Sequence, residues 1–216
     1  MSNQPINHFY RRAKFLISAG TTQQFPQGES MEVAFVGRSN AGKSSSINTL
    51  CDNKTLAKIS KTPGRTRLVN YFALDEKRRL VDLPGYGFAK VPLAVKEEWQ
   101  KLMGKYLEQT DVLRGLVIIM DIRHPLKEFD LQMLDWCQHF GLPAHILLTK
   151  ADKLKRGAQN TALLQCKKLL KTEGYDASIQ IFSSLDKIGL EQLVNKLNEW
   201  LELPPAKKEP EPEQPE

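Results

Sequence analysis

Two rhythms alternate along the chain. Short β-type apolar runs fall at 31–36, 68–74, 79–82, 116–121, 144–149 and 179–182. Between the later ones, apolar side chains recur at spacings of three and four. Trp99, Leu102, Met103, Tyr106 and Leu107 do so within 95–110, and Met133, Leu134, Trp136 and Cys137 within 129–140, the spacing of one buried helix face. The segments 43–50, 159–172 and 190–201 complete the predicted helices, and residues 9–18 read as a further helical piece. Strands alternating with amphipathic helices predict a three-layer α/β fold, with a central, mostly parallel six-stranded sheet flanked by helices. Trp99, Trp136 and Trp200 are expected to pack helices into the core. No internal repeat is present. The end of the chain, from 204 to 216, is rich in Pro and Glu and is expected to be disordered. The organisation read from the pattern is therefore an N-terminal extension at 1–22, one domain at 23–203 and a tail at 204–216.

Composition narrows this. At 216 residues, 41% hydrophobic and 26% charged, the chain is long enough to bury one full core. The apolar runs at 116–120 and 145–149 are far shorter than the roughly 20 residues that cross a bilayer. The first twenty residues lack the basic, apolar and small-residue order of a secretory signal. A cytoplasmic protein with no membrane contact is expected. Cys51, Cys137 and Cys166 are far apart and odd in number, so neither a disulfide framework nor a zinc site is predicted. They are read as small buried hydrophobes. Net charge is +6, but residues 207–216 hold four Glu and two Lys (net −2), so the rest carries +8. A basic body favours a polyanionic partner.

The strongest chemical signal is Gly37-Arg38-Ser39-Asn40-Ala41-Gly42-Lys43-Ser44, which fits the phosphate-binding pattern G-x-x-x-x-G-K-[ST] and lies between a predicted strand and helix. Glycines let successive N–H groups turn toward phosphate oxygens, and the helix start adds its positive end. Lys43 would neutralise the β- and γ-phosphates, and the Ser44 hydroxyl, next to Ser45, would ligate Mg²⁺, which prefers oxygen. Asp82-Leu83-Pro84-Gly85 closes the third run. Asp82 would hold a metal-bound water and the Gly85 amide would touch the γ-phosphate. By itself this stretch also reads as a β-turn. The polar segment 61–67 contains Thr62, Gly64, Arg65 and Thr66, and a γ-phosphate with Mg²⁺ would order it. Thr66 is the expected metal ligand, with Thr62 as the alternative. At the far end of the sheet, Thr149-Lys150-Ala151-Asp152 follows an apolar run. A carboxylate at Asp152 accepts from guanine N1–H and the 2-amino group together, donors that adenine does not present, while the Lys150 stem packs on the base. Phe182, Ser183, Ser184 and Leu185 follow the last run and could offer backbone N–H groups to guanine O6.

Taken together, GRSNAGKSS, KTPGRT, DLPGYG, TKAD and SSL, in this order and spacing, resemble the EngB family (YihA/YsxC) of bacterial ribosome-biogenesis GTPases. The similarity spans residues 15–201. The stretches 63–66, 82–87 and 120–125 carry it most specifically. The resemblance implies a monomeric GTPase that binds the large ribosomal subunit or its precursor, through rRNA and ribosomal proteins, late in assembly. Ordering of 61–67 and 85–90 by the γ-phosphate would then gather Lys61, Arg65, Arg67 and Lys90 on one face able to meet rRNA. A GTPase serving cell division or septation is the alternative. A P-loop ATPase or kinase would have no use for the T-K-x-D element.

Lys43, Asn40 and Thr66 are the expected catalytic residues. The residue after Gly85 is Tyr86, not a water-orienting glutamine, so slow intrinsic hydrolysis is expected. Asn40 looks like the asparagine with which several relatives hold an activating K⁺ near the phosphates. Turn geometry alone would also favour an asparagine there. Asp121, Arg123 and His124 reach the ligand edge of the sheet, yet a strand-to-helix turn explains them and no catalytic role is given to His124.

Overall fold

The structure, a computed structural model, describes residues 5–58, 68–86, 93–108 and 111–205. Strand β1 (Lys14–Ala19) is followed by β2 (Met31–Gly37), helix α1 (Lys43–Leu50), β3 (Val69–Ala73), β4 (Arg78–Asp82), α2 (Leu93–Leu107) and β5 (Leu113–Asp121). Then come α3 (Glu128–His139), β6 (Ala144–Thr149), α4 (Arg156–Thr172), β7 (Ala177–Ile181) and α5 (Leu190–Trp200). The strands form one sheet in the order β1-β3-β4-β2-β5-β6-β7. β2 pairs in parallel with β4 and β5, and β5, β6 and β7 continue in parallel. Among the described strands only β1–β3 and β3–β4 are antiparallel.

Parallel strands covered on both faces read as unbroken apolar runs, and β2 does: Val33, Ala34, Phe35 and Val36 are all fully buried. The period of two still sorts them. Ala34 and Val36 join the core under α2, α3 and α4, with Met103, Met133 and Cys166. Val33 and Phe35 join the opposite core under α1 and α5, with Ile47 and Leu193. Trp99 stacks on Trp136 with centroids 6.2 Å apart, and Trp200 packs in the second core. All three cysteines are buried and free. Burial pushes the Cys51 and Cys137 thiols up to about 12, out of the reactive range.

Among the described residues the sheet has seven strands, not six. The extra one is β1, in the stretch 9–18 read as helical and inside the segment 1–22 read as an extension. Only Tyr10–Arg12 makes a short helical turn there. Phe15, Leu16 and Ile17 are consecutive apolar residues, which fit neither period. As an outer strand, β1 leaves all three exposed, and its ladder partners in β3 lie 50 to 59 residues away in sequence. Local pattern carries no trace of such a pairing. Most of the tail read at 204–216 lies outside the described residues.

A candidate nucleotide site at the carboxyl ends of the strands

β2 ends at Gly37, where close approach to β5 demands glycine: a Cβ there would sit 2.7 Å from the Ile119 carbonyl oxygen. Beyond it the chain turns through Asn40 (φ 63°) and Gly42 (φ 103°), and Gly42 caps the start of α1. Glycine is at ease in this left-handed region and asparagine tolerates it better than other side-chain-bearing residues. Such concave turns at a helix N-terminus gather backbone N–H groups around anions. The turn is fastened to the segment that follows β4 by two backbone bonds, Ser39 N–H to the Tyr86 carbonyl (3.0 Å) and Tyr86 N–H to the Gly37 carbonyl (3.2 Å).

Register places Asp82 beside Phe35 at the end of β4. Its carboxylate pairs with the Lys43 ammonium, the side chains being 6% and 14% exposed. The Ser44 hydroxyl, one residue on, donates to the Lys58 carbonyl at 3.2 Å. A hydroxyl and a carboxylate next to a lysine suit a hard cation shared with phosphate oxygens, which is how Mg²⁺ is usually held. Among the described residues no group of three or more His, Cys, Asp or Glu exists to cage an ion. Lys61, Thr62, Gly64, Arg65, Thr66 and Arg67 lie outside the described residues, as do Gly87 and Lys90.

At the other side, the Thr149 hydroxyl bonds the Ala41 carbonyl of the phosphate loop, and lies 3.0 Å from the Met120 carbonyl of β5. Lys150 is left-handed (φ 58°). Its ammonium donates to the Asn40 carbonyl (2.6 Å) and pairs with Asp121 (2.9 Å), which stretches its stem between the two loops. Ala151 N–H donates to the Phe182 carbonyl at 3.1 Å. Phe182 itself is a core side chain, so only its backbone faces this loop. Asp152 accepts from the buried Ser183 hydroxyl (2.8 Å) and pairs with Lys153 (3.2 Å). Burial alone would raise the Asp152 carboxyl, but the bonds from Ser183 and Lys153 outweigh it and hold the group below its usual range. Ser184 is half-buried, and Leu185, 75% exposed, forms the rim.

Residues 37–45, 82–85, 149–152 and 182–185 thus converge on the carboxyl ends of β2, β4, β6 and β7, where open α/β sheets bind ligands. Asp121 is a further member that the sequence left without a role. Burial would raise its carboxyl, yet bonds from Arg123 (2.7 and 2.9 Å) and Lys150 hold it well below the carboxylate range. It anchors Lys150. The D-I-R-H-P stretch was the available signal, but the lysine it orients is in another loop.

Residues 32–150 match a family described as 50S ribosome-binding GTPase. The chain is 52% identical over 200 residues to the probable GTP-binding protein EngB of Idiomarina loihiensis, covering 93% of this chain and 96% of that protein. It is 54% identical over 194 residues to the protein of the same name from Hamiltonella defensa, covering 90% and 95%. A crystal structure of a probable EngB superposes with a TM-score of 0.61 at 21% identity, over 79% of this chain and 98% of that one. Era, crystallised with MgGDPNP and a fragment of 16S ribosomal RNA, superposes with a TM-score of 0.62 at 22% identity, over 88% and 60%. At these identities the two structures speak for the fold. Conversely, identity above half over nearly the whole length, joined to a phosphate loop, a D-x-P-G turn and a T-K-x-D turn on neighbouring strand ends, leaves one conclusion: the chain belongs to the EngB family of GTPases.

Proposed function

We propose that this chain is a cytoplasmic GTP-hydrolysing switch that binds GTP with Mg²⁺ at the carboxyl end of its sheet and acts in assembly of the large ribosomal subunit. The observation that carries the nucleotide reading is Thr149. Its hydroxyl ties the phosphate loop, at the Ala41 carbonyl, to the strand end that leads into Asp152, so the element suited to phosphates and the element suited to guanine are one unit.

Each part has a chemical task. Backbone N–H groups of residues 37–45 and the Lys43 ammonium take the phosphates. A phosphate competes with Asp82 for Lys43, because both are anions that want the same ammonium. Ser44, Asp82 and Thr66 are the oxygen donors that would hold Mg²⁺, which when bound supplies charge neutralisation at the β- and γ-phosphates. The Gly85 amide meets the γ-phosphate. Asp152 accepts the two guanine donors, while Ser183 and Lys153 keep it ionised and aimed. Water attacks the γ-phosphorus, the bridging P–O bond to the β-phosphate breaks, and GDP and phosphate leave.

The ribosomal part is supported by the family's description, 50S ribosome-binding GTPase, and by the +8 body of the chain. Two measurements test the reading. Against a fluorescent guanine nucleotide, GTP should compete and ATP should not; equal competition removes the base assignment. Co-sedimentation with large ribosomal subunits should depend on GTP, and equal pelleting in GTP, GDP and no nucleotide removes the switch.

A further inference from the structure

Pro84, Gly85 and Tyr86 are held at both ends. Trp99 on α2 donates its indole N–H to the Pro84 carbonyl at 3.2 Å, while its ring stacks on Trp136 and meets Tyr86 at 6.0 Å. Tyr86 is fixed three ways. Its N–H and carbonyl bond Gly37 and Ser39, and its hydroxyl donates to Asp130 of α3 at 2.7 Å. Asp130 is fully buried, and its second oxygen accepts the Lys127 N–H at 2.9 Å.

Gly85 lies between these anchors, and its N–H belongs to the same peptide plane as the Pro84 carbonyl. No peptide bond among the described residues is cis, and across a planar trans peptide the C=O and the following N–H point in opposite directions. A donor that seizes the Pro84 oxygen from the α2 side therefore turns the Gly85 N–H away from α2. Gly85 lies against the phosphate loop: a Cβ there would be 3.3 Å from the Gly37 carbonyl oxygen and 3.7 Å from the Ser39 nitrogen. Among the described residues the Gly85 N–H makes no hydrogen bond.

We propose that Trp99 is a positioning residue for γ-phosphate recognition: its indole N–H sets the Pro84–Gly85 peptide plane so that the Gly85 N–H faces the γ-phosphate, and the Tyr86–Asp130 bond keeps the far side of the glycine from turning. The inference rests on the reading that this amide meets the γ-phosphate. GDP has no such group, so the effect falls on GTP alone. A residue that only supported the fold would weaken both nucleotides together.

The test compares Trp99→Phe, which keeps an aromatic ring against Trp136 and removes the N–H, with the unaltered full-length chain. Fluorescent GDP and a fluorescent non-hydrolysable GTP analogue are the probes. The GTP analogue should bind about fivefold more weakly, the worth of one net hydrogen bond, with GDP affinity unchanged. Benzothienylalanine at position 99, which has the shape of tryptophan and sulfur in place of N–H, should give the same split without a packing change. Trp99 emission should also shift with the GTP analogue and not with GDP. Equal weakening of both nucleotides, or no weakening of either, in the benzothienylalanine protein overturns the role of Trp99. If the unaltered chain itself makes no distinction between the two nucleotides, the γ-phosphate contact at Gly85 is wrong, and the positioning role goes with it.

Discussion

Strands β2 and β4 carry an ion pair at each end, and the two pairs follow different rules. At the amino end, Glu32 and Arg79 are direct register partners. Arg79 donates to Glu32 and to Ser30, both at 3.1 Å, and the Tyr106 hydroxyl of α2 takes the other Glu32 oxygen at 3.0 Å. Burial pushes the Glu32 carboxyl above its usual range against those bonds. Among the described residues, only the Tyr71 hydroxyl is buried there without a partner. At the carboxyl end, Asp82 pairs with Lys43, which arrives from the first turn of α1 rather than from the neighbouring strand. β6 repeats the contrast. His145 near its start is enclosed, bonded to Ser178 at 2.8 Å and Gln180 at 3.0 Å, while Thr149 at its end bonds a loop. Glu32 and His145, at the amino ends, are bonded by side chains of the sheet, of Ser30 and of α2. The polar groups at the carboxyl ends share partners with loops, and a ligand can compete for them.

The contrast is broken or sharpened most strongly by Arg79→Ala. It leaves Glu32 buried without its cation, a change that costs about 3–5 kcal/mol, readable as a lower midpoint in urea unfolding. GTP affinity of the folded fraction should stay within about twofold, because distant sites add independently. A large loss of GTP binding at unchanged stability would mean that the amino end is not structural.

Acid should strain the same end through His145. Burial lowers its imidazole to about 4 from 6.5, and the bond to Gln180 opposes this only in part. Between those values the unfolded chain binds a proton that the folded chain refuses, so stability is fully present above pH 6.5 and falls as pH drops toward 4. The loss reaches up to about 3 kcal/mol. Glu32 and Asp130 are both raised by burial and act with the opposite sign in this region. The readout is therefore the difference in pH slope between wild type and His145→Asn, and identical slopes would reject the assignment.

At the carboxyl end the effect should be on binding alone. Asp152→Asn should weaken GTP about 10- to 100-fold, as expected for hydrogen bonds to a charged group, and should admit xanthosine triphosphate, whose 2-carbonyl accepts from the new amide. Titration calorimetry decides it, and unchanged GTP affinity would refute the assignment. The smallest effect is expected at Asn40. If its carboxamide holds K⁺, turnover should be several-fold faster in KCl than in NaCl at equal ionic strength. Asn40→Gly, which keeps the left-handed turn, should erase that difference. Equal rates in both salts for the wild type leave Asn40 with a turn role only.

Legibility followed the distance over which each feature is encoded. The phosphate loop, the D-x-P-G turn and the T-K-x-D turn are runs of consecutive residues whose chemistry depends on order alone, so they were readable as a nucleotide site. Asp121, Asp130 and Trp99 were not. Each acts on a partner in another loop or helix: Lys150, Tyr86 and the Pro84 carbonyl. In isolation an aspartate after a strand, or a tryptophan on a helix face, is an ordinary residue.

By itself, then, the sequence determined the alternation of strands and helices and offered residues suited to phosphate, metal and guanine, because periodicity and local motif are properties of neighbours along the chain. Only the tertiary structure decided that Lys14–Ala19 is a seventh strand, since its ladder partner is β3. It alone showed that Thr149 fastens the T-K-x-D turn to the phosphate loop, 108 residues away in sequence. Hydrogen bonds of that reach depend on where packing brings two strand ends, and no local pattern records it.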